Sequence, residues 1–325
     1  MSYYDEDFKP WQIAGGQCVV ADEAEWSKLV ELNDESECNS FVWEQDFSTI
    51  VKVPTDIFEY VEGQVFDQSL KPVFTNEHIT TQRPLTVNDL LTRFFQTVDA
   101  TPHVDYLLVT KRPELVRSKW ILAYPPHSHD WPRTNGEKRF RRNVTIAVPV
   151  ETQADIERLI PELLKCHDLC KGLEVICNPT EKLDFRKFVS GLQCDFCGPV
   201  VSRTEFDGQC NVTVCESCFT CFDDAGSTVT GTEAAINRVI AEGNEHPIHP
   251  DHVRSLRDQC LDAEVEFNFA SWGSYVPSSC VPPCPDTGHY LWPWKDQGDE
   301  TMMLAIDAER SCRLLDGQEH NGRVS

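Results

Sequence analysis

From Ile50 onward, short β-rich runs alternate with amphipathic helical stretches, and this rhythm constrains the fold more than any other feature of the chain. The order is KPVFTN then a helix, DYLLVT then a short helix, KWILAY and a basic loop, NVTIAVPV then a helix, and GLEVICNP. Strands separated by helices pair in parallel, because each crossover returns the chain to the same edge of the sheet. Apolar spacing supports three helices. Leu90, Leu91, Phe94, Phe95 and Val98 share a face after Thr86, which reads as an N-cap with Asp89 three positions on. Ile156, Leu159, Ile160, Leu163 and Leu164 follow Thr152, with a kink expected at Pro161. Val253, Leu256 and Leu261 line a helix from about Asp251, between the apolar strands NRVIAEG and VEFNFA. The expected fold class is α/β, a partial or complete barrel of parallel strands with surrounding helices and a Cys-rich zinc-ribbon insertion.

The expected division is a weakly patterned N-terminal region over 1–48, the first part of the barrel over 49–188, the insertion over 189–230, the last part of the barrel over 231–275, and an irregular covering segment over 276–325. The 325 residues carry 53 acidic against 29 basic side chains, a net charge of −24. This balance opposes nonspecific wrapping of nucleic acid, which depends on Lys and Arg displacing counterions. No apolar run reaches the ~18 residues that a membrane span needs, and MSYYDEDFKPW has neither the basic start nor the apolar stretch of a signal peptide. A cytoplasmic protein with no membrane partner is expected.

Fifteen cysteines without an export signal point to metal ligation rather than a disulfide framework. Six of them, Cys194, Cys197, Cys210, Cys215, Cys218 and Cys221, fall in one short segment. Cys194-x2-Cys197 and Cys215-x2-Cys218 stand 17 residues apart, the spacing of a four-thiolate zinc ribbon in which two knuckles complete a tetrahedron. Structural zinc on Cys194, Cys197, Cys215 and Cys218 is therefore the leading reading. Cys210 or Cys221 could replace a member of the second pair, and Cys210, Cys215 and Cys218 could instead form a displaced iron–sulfur triad.

A basic island runs from Arg133 to Arg142, where Arg133, Lys138, Arg139, Arg141 and Arg142 face Glu137 alone. It is either a solvated loop or a site for a phosphate-bearing ligand, a nucleotide or a nucleic acid, with Lys111-Arg112 opening on the same side. Polar residues at strand ends (Glu77, His78, Glu151, Glu242, Glu245, His246 and His249) would line the carboxyl edge, where parallel sheets bind ligands. The substrate-binding candidates are Lys111, Arg112, Gly243 and Glu245, with Arg139, Arg141 and Arg142 from the island. The chain has no Walker loop, HExxH pair or GxSxG elbow, and no catalytic residue is assigned.

Four segments resemble, in order, a family of phage and prophage proteins described as radical-SAM-like three-cysteine-motif proteins. HPDHVRSLRDQCLDAEVEFNFASWGSY is the strongest, and DYLLVTKRPELV, NVTIAVPVETQADIERLIPELL and RLLDGQEHNG accompany it. The resemblance covers about Ile50 to the end. It implies a [4Fe–4S] cluster that chelates S-adenosylmethionine, held by three cysteines after an N-terminal Trp. Here Trp11 and Cys18 stand in that place and the next two cysteines are missing; one thiolate cannot hold four irons. The stretch Gly-Gly-Glu-Ser-Gly is likewise replaced by AEGNEHPIHP. Two functions follow from the resemblance. One is a radical-SAM-like enzyme acting on a nucleotide or nucleic acid, and the other is a catalytically inactive protein that keeps scaffold and ribbon to bind a nucleic acid or protein partner.

Overall fold

The computed structural model describes residues 6–14, 17–43, 49–59, 64–74, 83–122, 140–186, 193–194, 198–199, 202–206, 211–215, 221–222, 236–277, 291–293, 302–305 and 313–320. In chain order the first elements are β1 (Glu6–Asp7), β2 (Trp11–Ala14), β3 (Gln17–Val20), α1 (Glu23–Trp43), β4 (Thr49–Val53), β5 (Val65–Phe66), α2 (Val87–Ala100), β6 (Val104–Val109), α3 (Pro113–Leu122), β7 (Arg141–Val150), α4 (Gln153–Leu164) and β8 (Cys170–Cys177). Short strands β9 (Gln193–Cys194), β10 (Gly198–Pro199), β11 (Ser202–Phe206), β12 (Asn211–Cys215) and β13 (Cys221–Phe222) follow. Then come β14 (Arg238–Glu242), α5 (Pro250–Asp262), β15 (Glu266–Ser271), β16 (Tyr275–Pro277), β17 (Leu291–Pro293), β18 (Met302–Ala305), β19 (Leu314–Leu315) and β20 (Gln318–Glu319).

The main sheet has the order β1-β4-β6-β7-β8-β14-β15. The pairs β1–β4, β4–β6, β6–β7, β8–β14 and β14–β15 are parallel, which bears out the α/β reading. Its outer strands are β1 and β15, so the sheet is open and a complete barrel is not formed among the described residues. The chain divides into two units, residues 1–147 with 166–172 and residues 148–165 with 173–325.

In the first unit, α2 begins with the capping box that Thr86 and Asp89 announce: the Thr86 side chain accepts from the Asp89 N–H, and the Asp89 carboxylate accepts from the Thr86 N–H. Its apolar stripe Leu90, Leu91, Phe94, Phe95 and Val98 is buried. Phe94 meets Tyr106 of β6 edge-on at 5.9 Å, and Phe95 meets Trp120 of α3 at 4.9 Å. Fully burying such a side chain contributes about 1.5–3 kcal/mol, so this aromatic cluster holds the helices to the sheet. KWILAY, read as a strand, is helical as far as Leu122. Val116 and Trp120, one turn apart, are both buried, and helical spacing outweighs the β-prone composition. KPVFTN also departs from a strand of the sheet, since its described residues make only the isolated bridges Phe66–Pro72 and Phe74–Pro84. The N-terminal region is ordered over residues 6–14 and 17–43, because Trp11, Cys18, Val19, Trp26 and Leu29 are all buried.

In the second unit, Thr152 and Asp155 form the same capping box at the start of α4, whose five stripe residues are buried; Pro161 lies inside the helix. Helix α5 buries Val253, Leu256 and Cys260, while Leu261 is 61% exposed. The stripe therefore runs i, i+3, i+7 and passes Leu261 by. Polar residues of α5 tie it to neighbouring segments of this unit. Gln259 donates to the Leu183 carbonyl and accepts from the Phe185 N–H. Arg254 and Arg257 both bind the Asp316 carboxylate at 2.8 and 2.9 Å. Asp316 and Gly317, with φ of 56° and 77°, form the two-residue turn between β19 and β20. The C-terminal segment also pairs β16, β18 and β17 into an antiparallel sheet.

Candidate functional site

At the carboxyl edge of the first unit, Asp56 fixes the end of β6. One carboxylate oxygen accepts from the Thr110 hydroxyl at 2.8 Å and from the Phe58 N–H at 3.2 Å, and the other accepts from the Lys111 N–H at 2.8 Å. Thr110 is fully buried, its N–H donates to the Ala147 carbonyl at 2.9 Å, and its hydroxyl accepts from the Arg112 N–H at 2.9 Å. These hydrogen bonds set the backbone of Lys111 and Arg112 immediately before α3. Both side chains are exposed, and Arg112 pairs with Glu114, whose carboxylate holds its guanidinium more firmly protonated than usual. Asp56 and Glu59 add to the negative field around it.

Arg141 and Arg142, the described end of the basic island, do not join this edge. Arg142 lies in the first two residues of β7, which pairs parallel with β6 in the register Tyr106–Val144 to Val109–Ala147. Strand starts and strand ends lie at opposite edges of a parallel pair, so Arg142 and Lys111 cannot share a ligand there. Arg141 is 3% exposed and binds Asp99 through Nε at 2.9 Å and Nη2 at 3.2 Å, with its guanidinium 4.4 Å from the Phe95 ring centre and 5.0 Å from that of Trp120. It is a core residue rather than a surface cation. Arg142 is exposed, and Arg139 lies outside the described residues.

At the carboxyl edge of the second unit, Gly243 permits a close backbone crossing: a Cβ there would meet the Trp272 carbonyl oxygen at 2.1 Å. Its N–H donates to the Ser271 carbonyl at 2.8 Å, and Ser274 N–H to the Asn244 carbonyl at 2.9 Å. Gly243 is therefore needed for packing between β14 and β15, while Glu245 and His246 beside it are exposed. His249 caps α5, its Nδ1 accepting from the Asp251 N–H at 3.1 Å. Two features of this unit carry no clear mark in the sequence. Arg238 bridges Glu174 at 3.1 Å and Glu266 at 2.6 Å. Asn268 is 1% exposed, and its Oδ1 has no hydrogen-bond partner among the described residues. A polar residue inside an apolar strand was the available signal for Asn268.

The cluster implied by the resemblance does not fit. Cys18 pairs with Ile13 across β2 and β3, is 3% exposed, and burial pushes its thiol up to about 11. A cluster ligand is a thiolate, and the next cysteine, Cys38, lies well along α1. Cys194 ends β9 and pairs with Gly198, and Cys215 ends β12 in an antiparallel sheet with β11 and β13. The side chains of these two, together with Cys197 and Cys218, lie outside the described residues. Among the described residues no three His, Cys, Asp or Glu side chains are grouped to hold a metal ion, and no helix is long and apolar enough to cross a membrane.

No curated protein and no solved structure matches the chain. The DUF5131 family, described as a protein of unknown function, matches residues 25–323, which is most of the chain, and the protein belongs to that family.

Proposed function

We propose that this protein is a ligand-binding α/β protein, a cluster-less relative of the radical-SAM-like phage proteins that its motifs resemble. In this reading Lys111 and Arg112 receive the phosphate of a nucleotide, and zinc held by Cys194, Cys197, Cys215 and Cys218 organises the inserted segment. The observation that carries the reading is the mount formed by Asp56 and Thr110, which fixes two consecutive cationic residues at the carboxyl end of β6 and the start of α3. The amino end of a helix adds a partial positive charge at that point, which favours an anion. Asp56, Glu59 and Glu114 oppose it, so binding is modest and salt-sensitive. Nucleic acid is the weaker ligand, because Arg141 is committed to Asp99 and the chain's net charge is −24. Binding is favoured over radical chemistry because Cys18 is a single, buried thiol.

Calorimetric titration of ATP at low salt tests this reading. Removing a charge-assisted contact costs about 1.5–3 kcal/mol, so Lys111→Ala with Arg112→Ala should weaken binding at least about tenfold. Arg142→Ala should leave it unchanged. No ATP binding at millimolar concentration, or equal binding by the double variant, would overturn the assignment.

A further inference from the structure

β15 is a six-residue outer strand of the main sheet, and its composition favours pairing with another strand. The sequence EFNFAS has two phenylalanines, no proline and one charge, Glu266, which Arg238 binds at 2.6 Å. The opposite outer strand, β1, is only two residues long, and a short edge is one protection against edge-to-edge association. The register shift of β15 against β14 comes after Phe269, so its first four residues run regularly. On the β14 side, the Glu266 N–H donates to the Asn237 carbonyl. Alternation along the strand turns the Phe269 N–H outward.

The β19–β20 hairpin occupies this edge. The Phe269 N–H donates to the His320 carbonyl at 3.0 Å, and the His320 ring meets Phe267 edge-on with centres 5.8 Å apart. Trp272, just after the strand, donates from Nε1 to the Leu314 carbonyl at 3.0 Å. At the tip, Asp316 accepts from Arg254 and Arg257 of α5, which also bind Asp251 and Asp258. The hairpin is thus held at both ends and at its turn by polar contacts. Leu315 is the one buried residue of the segment 313–320; Leu314 is 36% exposed, and residues 316–319 are exposed. An element seated in this way lies toward the low end of local stability, because ion pairs open to water contribute little and are screened by salt.

We propose that the β19–β20 hairpin is a detachable strap that masks the β15 edge, and that its release opens the edge to strand addition by a second copy of this chain. A second copy fits because two β15 edges related by a two-fold axis pair with each other, each supplying the donors and acceptors that the other needs. Although the chain has a net charge of −24, the one charge on this strand is already bound by Arg238, so repulsion at the line of pairing is small. Asp316 is the release point, since a single carboxylate holds the turn to both arginines.

Asp316→Gly in the full chain tests the strap. Asp316 has a φ of 56°, so glycine removes the carboxylate without straining the turn. Arg254→Gln with Arg257→Gln removes the same clamp from the α5 side and leaves the turn intact. In hydrogen exchange followed by mass spectrometry, peptides covering 266–272 and 313–320 should exchange about fivefold faster in both variants, while those from α4 and β8 hold steady. In sedimentation velocity the mean mass of both variants should rise with protein concentration, and that of the wild type should stay at one chain. Unchanged exchange over 266–272 would overturn the strap, and so would loss of protection in all peptides together, which would make the hairpin part of the main core. Faster exchange without association, or a wild type that associates as readily as the variants, would overturn the second copy as the partner of a guarded edge.

Discussion

Arg141→Ala is the substitution that most sharply separates a core arginine from a nucleic-acid contact. The side chain of Arg141 is 2% exposed and that of Asp99 22% exposed, and the pair is bidentate. Removing one partner of a buried pair typically costs about 3–5 kcal/mol, because the remaining charge loses its compensation. Asp99 can regain some water, which places the pair near about 3 kcal/mol. The guanidinium also lies against Phe95 and Trp120, a contact that contributes about 1–2 kcal/mol when desolvated. These losses overlap, since both are the loss of one side chain, and the expected total is about 3–4 kcal/mol. Urea unfolding followed by tryptophan fluorescence reads it as a lower midpoint with little change in slope. Asp99→Asn and the double variant complete a cycle whose coupling should be about 2 kcal/mol. Arg142→Ala, an exposed change on the next residue, should stay within about 0.5 kcal/mol of wild type. If Arg141→Ala unfolds at the wild-type midpoint, or Arg142→Ala is the more damaging of the two, the burial argument is wrong.

Two further outcomes follow from the titrating groups. The hydrogen bond from Arg83, followed by those from Thr86, holds the Asp89 carboxyl at about 2, below the ordinary aspartate range. A depressed folded value adds stability that is complete above about pH 4 and lost as pH falls toward 2. Because Arg83 is 47% exposed, screening limits the contribution to about 1 kcal/mol, and Asp89→Asn should flatten an acid titration of stability by that amount; a variant that keeps the wild-type slope would remove Asp89 as the cause. Site-mapped alkylation at pH 8 should label the exposed Cys38 far ahead of Cys18, whose thiol burial pushes up to about 11. Equal labelling would mean that β3 is open to solvent.

The parts of the fold legible in the sequence were those written in local pattern. The capping boxes at Thr86 and Thr152 could be read or nearly read, because a cap and its partner lie three residues apart. The strands of the sheet show as apolar runs because both of their faces are largely covered. KWILAY misled because Trp, Ile, Leu and Tyr favour strands, while the burial of Val116 and Trp120 follows the helical period. Arg141 misled for another reason: its partner is Asp99, 42 residues away, and no local pattern reveals a pairing of that range. The separation of Lys111 from Arg142 was legible in principle. One follows a strand and the other opens the next, and in a parallel sheet those positions lie at opposite edges. Asp56 could not be assigned a role, because its task is set by the end of a strand 54 residues further on.

In the proposed reading, the α/β scaffold serves binding and holds no iron–sulfur cluster. Anaerobic purification followed by metal and sulfide analysis tests it most directly. The expected result is about one zinc per chain, lost when Cys194 and Cys215 are replaced by Ser, and no stoichiometric iron. A brown protein with about four irons and four sulfides per chain would contradict it.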